Sequence, residues 1–379
     1  MVISLMFLKM RNSDKLFFNI LRKGLWDRSE TDIDYSADLR VWRDVLGLSF
    51  SQTVVGIIAD GLSTCPQGVV PSEVSMRLIS ASVSTAQRNE QMNVMISQLI
   101  PTFEKFDLPV VIVKGQAIAQ CYKNPFSRTP GDIDLVVKPE DYERAKVVIK
   151  ELSRDEGTDD SCVKHFAATV GNIEVEVHGT IHTSLSKRIN DTLDEIQAEL
   201  LADGGSCLWN CYGANVSVPS ANFDVLYIFL HLLQHFFCGG LGLRQLCDMA
   251  MSLHVHNDDI DKQKLIWHLE RMGLVSEWKA FVAFLVNYLS LLEQEAPLYD
   301  SKYINQADRI WEYVRKTGNF GKNKSRRYGI NSSYLLRKAE SLIRNASCFI
   351  NHIRLFPSDS IKFFGYYFVQ GINTAIKGE

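Results

Sequence analysis

Apolar and polar positions repeat with two different periods along the chain, and the change of period divides it into three regions. In the first hundred residues, segments 38–62 and 91–106 carry apolar side chains at intervals of three and four residues. That spacing places them on one face of a helix, so both segments are predicted to be amphipathic helices. We expect both apolar stripes to pack into a core rather than to bind a ligand.

From residue 108 the pattern becomes that of strands. The apolar run at 108–113 and the run Ile133–Val137 are each short enough for one buried strand. Residues 173–178, with the sequence IEVEVH, alternate strictly between apolar and polar. Because side chains in a strand point alternately to opposite faces, the polar ones are expected together on one face: Glu174, Glu176 and His178.

The remaining pattern is helical and defines the fold class. An amphipathic helix is predicted from Pro139 to about residue 152, and helices follow beyond about residue 215. The basic, glycine-containing segment 316–329 is predicted to be a loop. The fold is therefore expected to be α+β, with a small mixed β-sheet between helical flanks. The predicted regions are a helical N-terminal region (1–95), an α/β core (96–205) and a helical C-terminal domain (215–379).

Composition narrows the class of protein. The chain has 379 residues, 46% hydrophobic and 22% charged, and a formal net charge of −3, as in an ordinary globular protein. This charge gives no overall basic surface for nucleic acid, which is not expected as a partner. The eight cysteines contain no CxxC pair and favour reduced thiols in a cytoplasmic protein. Neither a signal peptide nor a membrane span is predicted.

Two carboxylates in the second predicted strand repel each other and need a positive charge nearby. Asp132 and Asp134 are two residues apart in an otherwise apolar run, so both point to one face. Glu174 and Glu176 add carboxylates on another strand. An oxygen-rich set of this kind suits a hard divalent cation such as Mg²⁺ or Mn²⁺, which would compensate the like charges. Asp132 and Asp134 with one of these glutamates are therefore candidate metal ligands.

Cationic and glycine residues nearby suit an anionic substrate. Gly115 lies where the first strand gives way to a predicted helical turn, so its backbone N–H is a candidate for binding phosphate. Lys114 adds a positive charge beside it. Arg128, four residues before Asp132, has a planar guanidinium that suits phosphate oxygens. Lys114, Gly115 and Arg128 are therefore candidate nucleotide-binding residues.

Three stretches of this region resemble a known family: VIVKGQAIAQCY (111–122), SRTPGDIDLVV (127–137) and IEVEVHGTI (173–181). They are similar to the Lys-Gly, Arg-x-x-(Gly/Ser)-Asp-x-Asp-Leu-x-Val and Glu-x-His motifs of the uncharacterised bacterial nucleotidyltransferase-like family in the DNA polymerase β-type superfamily. The helical flanks are also similar, so the resemblance covers most of residues 38–370. One departure is that Lys114-Gly115 replaces the Gly-Ser of the superfamily's phosphate loop, 17 residues before Asp132.

The resemblance implies a function and selects among the carboxylates. It implies a Mg²⁺-dependent enzyme that transfers a nucleoside monophosphate from a nucleoside triphosphate, such as ATP, to an unidentified acceptor and releases pyrophosphate. It places the catalytic, metal-binding acids at Asp132, Asp134 and Glu176, two residues before the motif histidine, His178, which would contact the nucleotide. A catalytically inert nucleotide- or partner-binding protein is the alternative, and a hydrolase or phosphotransferase using the same metal site is a second one.

Two residue pairs on predicted C-terminal helices have other interpretations. His231 and His235 are four residues apart, a spacing that allows zinc chelation, but the sequence offers no obvious third ligand. Arg244 and Asp248 are also four apart and are predicted to form an ion pair on the face of a helix.

Overall fold

The computed structural model describes residues 10–26, 33–160, 164–319 and 352–377. The start of the chain, where no signal peptide is predicted, and most of the predicted loop at 316–329 lie outside these ranges. Within the described part of the chain, no helix is both long and apolar enough to cross a membrane.

In the described part of the chain, four helices precede the sheet. They are α1 (Asn12–Trp26), α2 (Leu39–Ser51), α3 (Val55–Leu62) and α4 (Ser72–Lys105). The helical segment predicted at 38–62 is thus two helices, because Thr53 between them has a φ of +53° and interrupts the regular backbone. Helix α4 contains the segment predicted at 91–106 except for its last residue, Phe106, which is the C-cap.

A five-stranded mixed sheet forms the centre and confirms the predicted α+β fold. Its strands are β1 (Val111–Val113), β2 (Ile133–Val136), β3 (Thr158–Asp160), β4 (His165–Val170) and β5 (Ile173–His178). Their order is β1-β2-β5-β4-β3, and β2 pairs with β5 in parallel while the other neighbours are antiparallel. Strands β1, β2 and β5 match the predicted strands, whereas β3 and β4 were not predicted.

Two helices connect the strands. Helix α5 (Gly115–Ala119) is a single turn after β1, and a 3₁₀ helix, Pro125–Ser127, precedes β2. Helix α6 (Tyr142–Leu152) follows β2. It begins three residues later than predicted, because the N–H of Asp141 bonds to the carbonyl of Lys138 and closes a turn that includes Pro139.

Helices and one hairpin make up the rest of the described chain. Helix α7 (Lys187–Leu200) leads to the hairpin of β6 (Ser206–Cys211) and β7 (Ala214–Pro219), which was not predicted. The later helices are α8 (Ala221–Cys238), α9 (Leu243–Val255), α10 (Lys262–Met272), α11 (Val275–Leu289), α12 (Ile304–Thr317) and α13 (Pro357–Lys377).

The sheet separates two apolar clusters. On one face, Ile133, Leu135 and Val175 pack with residues of α4 and α6. The other cluster joins the first helices of the chain to the last ones; for example, the ring of Phe18 lies 4.6 Å from that of Trp311. Because Asp134 follows Ile133 and precedes Leu135, it points to the opposite face, towards α8 and α9.

The segment that carries Arg128 is held by the N-terminal helices. Asn89 of α4 is 1% exposed, and its Nδ2 donates to the carbonyl oxygens of Phe126 and Arg128, each at 2.9 Å. Gly56 of α3 packs so closely that a Cβ there would overlap the carbonyl oxygen of Ser127. The absence of a side chain at Gly56 therefore allows the segment to reach its place beside the sheet.

Replacing Gly56 with alanine should destabilise the protein by about 1–3 kcal/mol, the usual range for forcing a methyl group into a packed interior. Urea unfolding measures this. Gly47→Ala is the matched control, since Gly47 lies in α2 and a Cβ there meets no atom within 4 Å. That change should be stabilising by roughly 0.5–1 kcal/mol, because alanine favours the helix. Equal effects of the two substitutions would contradict the close-packing explanation.

Candidate active site

Strand register brings the polar residues of the sheet into one group. The parallel pairing of β2 with β5 sets Asp134 beside Glu176, and the antiparallel pairing of β4 with β5 sets His165 opposite His178. Glu176 and His178 share a face because they are two residues apart in one strand. The backbone of the sheet therefore positions all four side chains.

Asp134 is the most buried carboxylate of the group, with 2% exposure, and two groups compensate its charge. Lys114 Nζ lies 2.7 Å from its Oδ1, and Nε2 of His178 donates to the same oxygen at 2.9 Å. Burial alone would raise the pKa of Asp134, but the charge of Lys114 and the hydrogen bond from His178 lower it. Asp134 is therefore ionised, and Lys114 is its direct counter-ion.

Asp132 has less compensation. The negative charge of Asp134 is the largest of the effects that raise the pKa of Asp132 to about 6, and burial acts in the same direction. The charge of Lys114 opposes them without cancelling them. The structure thus keeps two neighbouring carboxylates of which only Asp134 is well neutralised by the protein.

Glu176 accepts a hydrogen bond from His165 and lies close to a second histidine, His178. Its Oε2 lies 3.0 Å from Nε2 of His165 and 3.4 Å from Nε2 of His178. Burial raises the pKa of Glu176, but these two histidines lower it well below its ordinary value. Glu174, the other acid of the strand, is exposed and is paired in register with Thr169. Of the two glutamates, only Glu176 faces the cavity.

A cavity of about 190 Å³ lies between this face of the sheet and helices α8 and α9. The predicted acids and the predicted phosphate-binding residues all line this cavity. His178 is not one of the lining residues, but it contacts Asp134, which is. The lining residues that bear on function are Lys114, Gly115, Arg128, Asp132, Asp134, Glu176, His231, His235, Arg244 and Asp248.

Arg128 is 4% exposed and is held by a bidentate ion pair. Its Nε and Nη2 each lie 2.8 Å from one oxygen of Asp248, which also accepts a hydrogen bond from Tyr122 at 2.7 Å. Nη1 of Arg128 is buried and has no hydrogen-bond partner among the described residues. Two of its three nitrogens therefore fix the side chain, and the third is a buried donor without a partner in a residue that lines the cavity.

Arg244 and Asp248, which were predicted to pair with each other, make their hydrogen bonds to other groups. Asp248 is occupied by Arg128, while Nη1 of Arg244 donates to the carbonyl oxygen of Thr129 at 3.1 Å. The fork of Arg128 can bind both oxygens of the carboxylate at once, which a neighbour on the same helix does less well. Both arginines thereby connect α9 to the segment that precedes β2.

His231 and His235 pair with each other at the cavity wall. Their Nε2 atoms are 3.0 Å apart. Burial lowers the pKa of both imidazoles, that of His235 to about 4, and the nearby charge of Lys114 acts in the same direction. Both rings are therefore neutral near pH 7, and one donates to the other.

The donor set fits a hard divalent cation. Three carboxylates, those of Asp132, Asp134 and Glu176, face one cavity, and the pKa of Asp132 is raised because the charge of Asp134 is close to it. Carboxylate oxygens are the ligands that Mg²⁺ and Mn²⁺ prefer. A cation would add the compensation that Asp132 lacks.

His165 and Asp248 are the site residues with roles that the sequence did not reveal. His165 lies in the unpredicted strand β4, although Phe166, Ala168 and Val170 alternate as strand residues do. That alternation is a signal that could have identified the strand. No local pattern shows that Asp248 binds Arg128, because the two are 120 positions apart.

Comparison with known proteins supports the resemblance at the level of the family. No curated protein matches the chain. Among solved structures, the chain is similar to an antigenic nucleotidyltransferase-like protein from Paracoccidioides brasiliensis, with 15% identity and a TM-score of 0.34 over 57% of this chain and 97% of the other. Residues 38–288, which include the whole cavity, match the family described as uncharacterised nucleotidyltransferase. The protein belongs to this uncharacterised nucleotidyltransferase family.

Proposed function

We propose that the protein transfers a nucleoside monophosphate from a nucleoside triphosphate to an acceptor and releases pyrophosphate. The observation that carries the proposal is that one cavity, inside the matched region, combines three carboxylates with the cationic groups of Lys114 and Arg128. Such a cavity offers ligands both for a divalent cation and for phosphate oxygens. The acceptor is not specified by any of these groups.

The carboxylates are assigned to the metal and to the acceptor. Asp132, Asp134 and Glu176 would hold Mg²⁺ or Mn²⁺, and the bound ion would supply positive charge that polarises the reacting phosphoryl group. The hydrogen bond from His165 and the nearby imidazole of His178 keep Glu176 ionised, so it can accept a hydrogen bond from an acceptor hydroxyl and orient it. Its low pKa makes orientation a better role for Glu176 than strong base catalysis.

The cationic groups are assigned to the phosphates. Arg128 and Lys114 both line the cavity, and Nη1 of Arg128 is a buried donor without a partner among the described residues. The cavity, at about 190 Å³, is smaller than the roughly 300–1,000 Å³ of a typical ligand pocket. It suits the triphosphate better than a whole nucleotide, which leaves the nucleoside at the mouth of the cavity.

A catalytically inert binding protein is the alternative, and one observation favours it. Lys114 and His178 already bind Asp134, and Asp248 already binds Arg128, so several charges are balanced by the protein itself. An inert protein would bind nucleotide with little dependence on metal. Pyrophosphate release from labelled triphosphates, with and without Mg²⁺ and with a metabolite pool as the source of acceptors, distinguishes the two.

Asp132→Asn should abolish Mg²⁺-dependent triphosphate binding while it leaves the Lys114–Asp134 ion pair in place. Calorimetry with and without Mg²⁺ measures this, and unchanged binding would contradict the metal assignment.

In EDTA at pH 8, the Asp132→Asn variant should melt at a higher temperature than the wild type. The folded-state pKa of Asp132, about 6, is above its ordinary value. Above that pH the folded wild type carries a charge that is less favourable in the cavity than in the unfolded chain, so the wild type is less stable there than the variant. The gain should disappear near pH 4, where the wild-type carboxyl is protonated.

Lys114→Met should weaken triphosphate binding by about 10- to 100-fold, equivalent to the loss of a charged hydrogen bond of roughly 1.5–3 kcal/mol. Binding of the nucleoside should change little, because the only part of the nucleotide that the ammonium is proposed to contact is the phosphates. Parallel titrations with ATP and adenosine measure the difference. Equal losses for both ligands, or an altered circular dichroism spectrum, would indicate a folding defect caused by leaving Asp134 without its counter-ion.

Glu176→Gln should lower turnover by at least about 10²-fold, the lower end of the contribution from a positioned acid or base. Glu174→Gln is the matched control, since Glu174 lies two residues away on the same strand and is exposed. It should leave turnover nearly unchanged. The rate of pyrophosphate release measures both, and the reverse ranking of the two variants would place the active site around Glu174.

A further inference from the structure

Two histidines and a carboxylate converge at the outer side of the cavity. His165 of β4 and His178 of β5 are paired in register, and their rings stack with centroids 4.8 Å apart. Both Nε2 atoms approach the same oxygen, Oε2 of Glu176. The ligand atoms of these three residues lie within 4.8 Å of one another, and all three side chains are partly exposed.

The distances agree with those around a small metal ion. Zinc binds imidazole nitrogen and carboxylate oxygen at about 2.0–2.2 Å, so two ligands of a tetrahedral ion are about 3.3–3.6 Å apart. The observed separations from Glu176 Oε2 to the two nitrogens are 3.0 and 3.4 Å. Movements of a few tenths of an ångström would therefore bring these two pairs to the spacing of ligands around one ion. The imidazole nitrogens, which lie within 4.8 Å of each other, would close the remaining gap by side-chain rotation.

We propose that His165, Glu176 and His178 form a binding site for one borderline transition-metal ion of the class of Zn²⁺, Co²⁺ or Ni²⁺. Two imidazoles and one carboxylate suit this class, whereas Mg²⁺ prefers oxygen ligands alone. The three ligands leave a position open to water or another ligand, as in catalytic zinc sites. This site does not depend on the proposed nucleotidyl transfer.

The backbone and a neighbouring ion pair favour such a site. The three ligands come from two adjacent strands, so the sheet fixes their spacing before any ion binds. An ion on Nε2 of His178 would replace the proton that now bonds to Asp134. Asp134 would keep Lys114 at 2.7 Å as its counter-ion, so its charge would stay compensated. Glu176 belongs to both this site and the carboxylate set, so the two metals would compete for it.

Zinc titration of the metal-free, untagged chain tests the proposal. Calorimetry should show one Zn²⁺ bound per chain, and Co²⁺ should give the visible absorption of a tetrahedral ion. His165→Ala should weaken binding by at least about 10²-fold, since even the loss of an outer-shell partner costs roughly 10- to 100-fold. His182→Ala is the matched control, because His182 is a partly exposed histidine that pairs with Asp194 away from the cluster.

Two further variants keep the outcome unambiguous. Glu176→Gln preserves the shape of the side chain and should also weaken Zn²⁺ binding, which covers the case in which His165→Ala fails to fold. Asp132→Asn should bind Zn²⁺ as the wild type does even if it no longer binds Mg²⁺ and nucleotide. No Zn²⁺ binding by the wild type, or wild-type affinity in a folded His165→Ala variant, would overturn the proposal and leave the histidines as hydrogen-bond donors to Glu176.

Discussion

The buried contact between Lys114 and Asp134 is the interaction on which the rest of the site depends. A carboxylate with 2% exposure cannot remain ionised in a sheet without a partner, and the ammonium 2.7 Å away supplies it. Asp134 then influences its neighbours through its charge: it raises the pKa of Asp132 and, with Glu176, that of His178. The ionisation of Asp132 and of His178 therefore depends on this pair.

Residues distant in sequence support the same cavity. Arg128 is held from one side by Asp248 of α9 and from the other by Asn89 of α4, which binds its carbonyl oxygen. The N-terminal and C-terminal helices therefore meet at the short segment before β2. This arrangement gives the helical flanks a part in shaping the site, because movement of either α4 or α9 would displace the guanidinium.

Alternation within single strands was sufficient to find part of the site. It placed Asp132 and Asp134 on one face of a strand, and Glu174, Glu176 and His178 on one face of another. The resemblance, not the alternation, selected Glu176, and the structure brings Asp132, Asp134, Glu176 and His178 together. Alternation could not predict which residues contact these four from a neighbouring strand or from a distant helix. His165 belongs to a strand with only three inward apolar positions, one of them the small Ala168, and Asp248 reaches Arg128 only through tertiary packing. Local periodicity predicts neither the register between strands nor contacts between residues far apart in the sequence.

The backbone at Lys114 has an implication for how this sequence balances stability and activity. Its φ of +54° and ψ of −141° lie in a region that residues with a side chain rarely adopt, at a cost of roughly 1–3 kcal/mol. Glycine would relieve that strain, but it would also leave the buried Asp134 without its counter-ion, which costs about 3–5 kcal/mol in a typical buried pair. With lysine at this position, the ammonium reaches Asp134 from a strained backbone conformation. The surrounding fold must hold the backbone in that conformation.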